Sequence, residues 1–148
     1  MSDGISSPGP ERAAPAAVYD KPLPVITPLT RGFWEHAKQG KLAMQVCTDC
    51  GDIHFPPSPV CPKCLSDAQE WRPVSGRGRL ESWVEFHRAY WPGFAADLPY
   101  RVCLVKLDEG PLLASNLVGE QPEIGAPVEV VFERVTDEVT LPKWRRAG

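Results

Sequence analysis

The sequence of 148 residues predicts a mainly β protein with one short helix near the N-terminus, a small metal-binding ribbon and a five-stranded closed barrel. Two features lead to this prediction. A pair of CxxC motifs lies in the first half of the chain, and strand-like runs separated by turn residues fill the second half. Because no helix-length segment interrupts those runs, they are typical of a small barrel of the OB type.

Changes in composition divide the chain into four parts. We predict an extended proline-rich arm at residues 1–28, a helix at 29–41, a zinc ribbon at 42–76 and a barrel with a C-terminal tail at 77–148. Proline at this density disfavours both helix and strand in the arm. The second half of the arm has enough apolar side chains to lie along a partner, so a loose tail and a pinned arm are the two alternatives.

The predicted helix has recognisable ends. Thr30 can serve as its N-cap, and Gly40 follows as the C-terminal stop. Phe33, Trp34 and Ala37 fall on one side, and a helix of two to three turns is too short to be stable alone. This aromatic face must therefore dock, either on the core of the chain itself or on another subunit.

Five runs with β-type composition follow the ribbon. Alternation of apolar with more polar residues is clearest at Leu80, Ser82, Val84 and Phe86 in the first run and around Val128 in the fourth. Turn signals and loops separate the runs, which span residues 78–88, 100–107, 111–118, 127–135 and 138–144.

Four cysteines form the most specific motif in the sequence, with ten residues between the two CxxC pairs: Cys47, Cys50, Cys61 and Cys64. Two residues between cysteines place both thiolates of a turn on one side, as tetrahedral zinc requires. We predict one structural zinc ion, with rubredoxin-like iron or a redox dithiol as alternatives. Gly51 can take the positive φ that such a turn needs, whereas Leu65 replaces glycine in the second turn, which predicts a different backbone geometry there.

Composition narrows the function classes. The net charge of −3 argues against a protein that grips nucleic acid mainly through phosphates. With no long apolar run and no secretory signal, we expect no membrane span and a cytoplasmic location. None of the three histidines lies in a nucleophile or metal signature, and Cys103 in an apolar run reads as an inert thiol. We therefore expect no catalysis by the chain alone.

Two sets of side chains are candidates for contacts with other molecules. Tyr90, Trp91 and Phe94 lie in a Pro/Gly-containing loop, where they either fold back onto the barrel or anchor an interface, as Phe33 and Trp34 of the helix could also do. Four cations around the barrel could meet a phosphate-bearing ligand, with solvated surface charge as the alternative. They are Arg88, Arg101, Lys143 and Arg145.

The order of these parts resembles a known family. The helix sequence FWEHAKQGKL is followed by CTDCGDIHFPPSPVCPKC, and later by PGFAADLPY, IGAPVEVVF and LPKWR. Together, over residues 29–146, they are similar to the acyl-CoA-associated zinc-ribbon/OB-fold family known as domain of unknown function thirty-five. The proline-rich arm departs from that pattern.

The resemblance implies a rubredoxin-like zinc ribbon, with the four cysteines as its ligands, and a C-terminal OB-fold barrel. It also implies a non-catalytic accessory subunit that binds and stabilises a thiolase-like or lipid-transfer-protein-type enzyme and helps shape its acyl-CoA channel. That enzyme would be of the thiolase, HMG-CoA synthase or steroid side-chain retro-aldolase type. Catalytic residues would lie on that partner, while loop 88–100 and the C-terminal LPKWRR would face the partner or CoA. A single-stranded nucleic-acid-binding OB module and a stand-alone acyl-CoA binder are the competing hypotheses.

Overall fold

The computed structural model describes residues 19–148, so most of the predicted arm lies outside the described residues. Helix α1 spans Arg31–Lys38, and a 3-10 helix spans Pro92–Asp97. The eight strands of the described range are β1 (Ala43–Cys47), β2 (Ile53–His54), β3 (Gln69–Pro73), β4 (Arg77–Phe86), β5 (Tyr100–Leu107), β6 (Leu112–Leu117), β7 (Pro127–Arg134) and β8 (Thr140–Arg146).

Helix α1 has the predicted stop but not the predicted side-chain cap. Gly40 adopts a φ of 75°, and its N–H donates to the carbonyl of Ala37 at 2.9 Å. Thr30 occupies the N-cap position, yet its hydroxyl accepts the N–H of Thr27 at 3.0 Å instead of an amide within the helix. The threonine side chain therefore closes the turn that precedes the helix.

The ribbon is a three-stranded antiparallel sheet in the order β2-β1-β3. Every residue of the central strand β1 is buried, because α1 packs on the sheet and the strand joins the core. Strand β2 has only two residues and was not predicted. Its pairing, which sets His54 opposite Gln45, depends on a chain reversal that periodicity cannot reveal.

The five predicted runs each form one strand of a closed barrel, in the order β4-β5-β6-β8-β7. Antiparallel pairing of β7 with β4 closes it, and a single parallel register pair, Leu117 with Trp144, joins β6 to β8. The mainly β architecture with a five-stranded OB-fold barrel and a zinc ribbon is therefore confirmed.

One core runs through the barrel and the base of the ribbon. Trp144, Leu80 and Val105 are fully buried in the barrel, and Phe33 of α1 and Met44 of β1 belong to the same cluster. The helix and the ribbon base are thus anchored on the barrel by apolar packing.

The first barrel strand departs from the predicted alternation. A β-bulge interrupts the pairing with β5 between Leu80 and Ser82, and a bulge re-aims the side chains that follow it. Beyond the bulge, the side chain of Val84 is exposed rather than buried. The inward face of β4 that the pattern predicted therefore ends at Leu80.

Candidate functional site

The ribbon carries its four cysteines on two turns that face each other. Cys47 ends strand β1 and is buried, as is Cys61, whereas Cys50 and Cys64 are exposed. Each turn thus contributes one buried and one exposed thiol. The four sulfur atoms lie within 4.8 Å of one another.

The spacing of the sulfurs fits a tetrahedral zinc ion. The Sγ atoms of Cys47 and Cys64 are 3.6 Å apart, as are those of Cys50 and Cys61. Zinc–sulfur bonds of about 2.3 Å in a tetrahedron require sulfur–sulfur distances of about 3.8 Å. The chain therefore has a rubredoxin-like ribbon with four cysteines positioned to bind a metal ion, and a set of four thiolates leaves no coordination position for a reacting water.

The two turns share one backbone geometry, so the expectation of a different second turn is wrong. The N–H of Gly51 donates to the carbonyl of Cys47 at 2.8 Å, and the N–H of Leu65 donates to that of Cys61 at 2.8 Å. Gly51 has a φ of 80° and Leu65 a φ of 66°. The metal-binding turn dictates the left-handed conformation, and leucine adopts it at a cost of about 1 kcal/mol.

Hydrogen bonds around the two turns favour the thiolate form of Cys47 and hold the loop between the turns in place. The backbone N–H of Cys50, above all, lowers the pKa of the Cys47 thiol to about 7, which favours the thiolate that metals bind. The side-chain oxygen of Gln45 accepts bonds from His54 Nε2 at 3.1 Å and from the N–H of Ser58 at 2.8 Å. His54 is thus a buried supporting residue.

The predicted aromatic contacts fall into two groups. Phe33 is only 6% exposed and Trp34 packs against the core, so the helix docks on its own chain, which is the alternative that the sequence left open. In the loop, Tyr90 is 71% exposed and Trp91 is 47% exposed. Phe94 instead stacks on Tyr100, with ring centroids 5.0 Å apart.

The four candidate cations lie in different environments. The guanidinium of Arg88 lies 5.2 Å from the ring centroid of Tyr90. Arg145 forms an ion pair with Glu129 at 2.8 Å. The structure brings the other two, Arg101 and Lys143, together in the wall of one cavity.

We name the connection between β4 and β5, residues 87–99, the aromatic loop. The cavity has a volume of about 440 Å³ and lies between the barrel, the aromatic loop and the described part of the arm. Its cations already have partners: Arg101 donates to the Gln121 side chain at 2.9 Å, and Lys143 forms an ion pair with Glu133. Lys21 of the arm is the third cation in its wall. Lys21 could not be identified from sequence patterns, because its ion pair with Asp97 joins segments far apart in the chain.

Two separate family models match the ribbon and most of the barrel. Residues 34–70 match the family model described as the ChsH2 rubredoxin-like zinc ribbon domain. Residues 71–133 match the one described as the ChsH2 C-terminal OB-fold domain. A DUF35 domain-containing scaffold protein of Methanocaldococcus jannaschii is 32% identical over 110 residues, which are 71% of this chain and 77% of that protein.

This chain belongs to the DUF35 family. Other relatives carry names of enzyme subunits. A probable enoyl-CoA hydratase alpha subunit of Thermomonospora curvata is 38% identical over 130 residues, or 86% of this chain. A 3-oxo-4,17-pregnadiene-20-carboxyl-CoA hydratase alpha subunit of Mycobacterium tuberculosis is 30% identical over 118 residues, or 78% of this chain. The chain spans only 40% and 35% of the lengths of these two subunits.

A solved structure of the family gives a three-dimensional match. One chain of the structure titled Ltp2-ChsH2(DUF35) aldolase superposes with a TM-score of 0.77 at 37% identity, over 85% of this chain and 100% of that one. A DUF35 protein from Sulfolobus solfataricus, at 16% identity and a TM-score of 0.58, shares the fold. Among residues 19–148, no helix is long and apolar enough to cross a membrane.

Proposed function

We propose that this chain is a non-catalytic, zinc-binding accessory subunit that binds and stabilises a thiolase-like, lipid-transfer-protein-type enzyme and helps form its acyl-CoA channel. The observation that carries the proposal is the match over the whole DUF35 chain of an Ltp2-ChsH2(DUF35) aldolase. The name of that aldolase describes an assembly in which a DUF35 domain accompanies another protein.

The chemistry of the metal centre supports a scaffolding role. Four thiolates saturate a tetrahedral ion, so the centre can fix the ribbon but cannot activate a water or a substrate. Relatives from archaea are named scaffold proteins, which agrees with such a role. The chain would then act through its surfaces.

The exposed aromatic loop is the surface that we assign to the partner. Tyr90 and Trp91 are solvent-exposed, and Arg88 lies over the ring of Tyr90. Tyrosine, tryptophan and arginine dominate the energetics of protein interfaces. A contact centred on this loop would bury rings that are otherwise costly to leave in water.

We propose that acyl-CoA binds in the cavity beside this loop. Arg101 and Lys143 line it, and both could exchange their present partners for phosphate oxygens when CoA approaches. Arg88 and Arg145 do not line this cavity. Names of two relatives contain CoA, one of them with a steroid-derived acyl group, so steroid acyl-CoA esters are the substrate class that we propose for the complex.

The names of those relatives also favour a second candidate function, as part of an enoyl-CoA hydratase assembly. The chain is 38% identical to one such subunit, although it spans less than half of that protein. In this case the partner would be a hydratase rather than a thiolase-like enzyme.

Co-expression separates the two candidates. The tagged chain is produced with an Ltp2-type enzyme in one arm and with hydratase subunits in the other, and complexes are measured by light scattering after size-exclusion chromatography. We expect a stoichiometric complex with the Ltp2-type enzyme, and a higher melting temperature of that enzyme. A chain that never co-purifies with it, with or without an acyl-CoA ester, would rule out the first candidate.

A pair of variants tests the assigned surface. Tyr90→Ala removes an exposed ring, and truncation of an interface hot spot costs about tenfold or more in affinity. Ile124→Ala is the control, because Ile124 is likewise exposed, at 59%, but lies in the connection between β6 and β7. Equal affinities for the two variants would place the interface elsewhere on the chain.

A further inference from the structure

The described end of the arm grips the aromatic loop. We name residues 19–21 the arm clasp. They contact the aromatic loop at two separate positions. The indole N–H of Trp91 donates to the backbone carbonyl of Asp20 at 2.9 Å. The ammonium group of Lys21 forms an ion pair with Asp97 at 2.7 Å. One contact lies at the start of the 3-10 helix and the other at its end.

A glycine makes this approach possible. A Cβ atom added at Gly93 would lie 2.2 Å from the carbonyl oxygen of Asp20 and 2.7 Å from its carbonyl carbon. Both are backbone atoms, so no side-chain rotation could relieve the overlap. Gly93 does not have a positive φ, and the requirement for glycine here therefore comes from the clasp.

Aromatic packing adds to the polar contacts. The ammonium group of Lys21 lies 5.5 Å from the ring centroid of Phe94 and 5.8 Å from that of Tyr19, within the range of cation–π attraction. Burial, as the largest cause, raises the pKa of the Tyr19 hydroxyl. The clasp therefore packs against the loop.

The loop is held from two sides. On the inner side Phe94 stacks on Tyr100 of β5, and on the outer side the clasp ties down both ends of the 3-10 helix. Between these supports Tyr90 and Trp91 still point their rings toward solvent. A loop that is ordered before binding loses less conformational entropy when it binds.

We propose that the arm clasp is a built-in part of the partner-binding surface, which fixes the aromatic loop in the conformation that the partner enzyme recognises. This inference rests on the proposed function, and it gives the arm a role. The clasp itself contributes no binding energy at the interface with the partner. It positions the residues that do.

The charge at the loop favours a different protein over a second copy of the chain as the occupant. Within residues 19–148, Arg88 pairs with no carboxylate. A two-fold contact centred on the loop would bring two Arg88 side chains together, and like charges in an interface are unfavourable. A partner that presents a carboxylate beside an apolar pocket would satisfy Arg88 and accept the exposed rings.

Three substitutions in the 148-residue chain loosen the clasp in independent ways. Gly93→Ala introduces the backbone overlap, Trp91→Phe removes the indole donor while keeping an aromatic ring, and Lys21→Met removes the ion pair but keeps an apolar stem. The matched controls are Ala95→Ser in the same loop, Trp83→Phe at a half-exposed tryptophan of β4, and Lys106→Met at an exposed lysine of β5.

The first measurement needs no partner. Hydrogen–deuterium exchange is followed for peptides covering residues 91–98 and for the core strands β5 and β8. We expect loop exchange to rise about tenfold in Gly93→Ala, about fivefold in Trp91→Phe and about twofold in Lys21→Met, whose ion pair is partly exposed. The core strands should be unchanged, and the three controls should resemble the wild-type chain.

The second measurement is the affinity of Gly93→Ala and Lys21→Met for the Ltp2-type enzyme, where we expect losses in the same order and of similar size. Trp91→Phe is left out of this measurement, because it also changes an exposed ring of the assigned interface. Unchanged loop exchange in all three variants would refute the clasp. Faster loop exchange with unaltered affinity for the enzyme would refute the role of the clasp in binding. A loop substitution that alters self-association of the chain would refute it as well, because the loop would then contact a second copy of the chain. If the wild-type chain binds no such enzyme, the proposed function fails, and the exchange data alone decide whether the clasp orders the loop.

Discussion

The metal-binding turns and the barrel are stabilised by different means within one small chain. In the barrel, Trp144, Leu80, Val105 and Val128 are completely buried. Between residues 48 and 68 only Cys61 is completely buried, and His54, at 9% exposed, is the only other buried residue. A buried apolar side chain stabilises a fold by roughly 1.5–3 kcal/mol, so the barrel can be stabilised by packing, whereas the turns lack the apolar groups to do the same.

The difference shows where each region tolerates change. Four sulfurs set the backbone of the turns so firmly that leucine takes a left-handed conformation at position 65. In the barrel the backbone follows the side chains, and the bulge after Leu80 ends the inward face of β4. Metal coordination fixes the shape of a segment, while packing fixes only the side chains that point inward.

The largest expected effect comes from removing one sulfur. Cys47→Ser should abolish stoichiometric zinc binding and unfold the turns, since structural zinc contributes on the order of 10 kcal/mol in comparable sites. Zinc content by mass spectrometry and hydrogen exchange would measure both effects. We expect residues 48–68 to exchange freely while β5 and β8 stay protected. Loss of protection throughout the barrel would show that the two regions are not independent.

The counterpart of the cysteine variant is a substitution in the barrel core. Trp144→Ala should lower the free energy of unfolding by about 3–5 kcal/mol, because a fully buried indole leaves a large cavity. Urea denaturation at saturating zinc gives the value. Trp83→Ala, at a residue that is 38% exposed, is the control and should cost about 1 kcal/mol or less. Similar losses for both variants would contradict the packing that we assign to the barrel.

Alkaline pH should act on the barrel through Cys103. Burial raises the pKa of this thiol to about 11, against an ordinary value of 9.0. Between these values the unfolded chain has lost the proton that the folded chain keeps, so the free energy of unfolding falls as the pH rises, by about 3 kcal/mol in total. Denaturation of the wild-type chain and Cys103→Ala at pH 8 to 11 measures the difference, and parallel curves would show that this thiol does not contribute.

The smallest effect tests the backbone of the turns. Leu65→Gly should raise the free energy of unfolding by about 1 kcal/mol, because leucine strains the left-handed conformation and its exposed side chain has little packing to lose. Gly51→Ala is the mirror experiment at the matching position, where a Cβ meets no atom within 4 Å, and it should cost about as much. Chemical denaturation resolves both. A destabilising Leu65→Gly would show that the leucine side chain makes a stabilising contact.

Local sequence was enough for the metal centre and for most of the strands. The CxxC spacing specifies sulfur geometry within a few residues, and apolar runs bounded by turn residues specify strands, so both were predictable without long-range information. The position of Gly40 likewise marked the end of α1 correctly.

Tertiary structure decided whatever depends on residues far apart in the chain. Whether Phe33 is core or interface depends on what lies opposite it, and the answer, Phe55 and Trp71, comes from other elements. The equal geometry of the two turns follows from a shared ion, although leucine alone disfavours it. The clasp joins Asp20 to a loop 71 residues away. Sequence patterns report the local preferences of the backbone, but contacts across such distances form only when the whole chain folds.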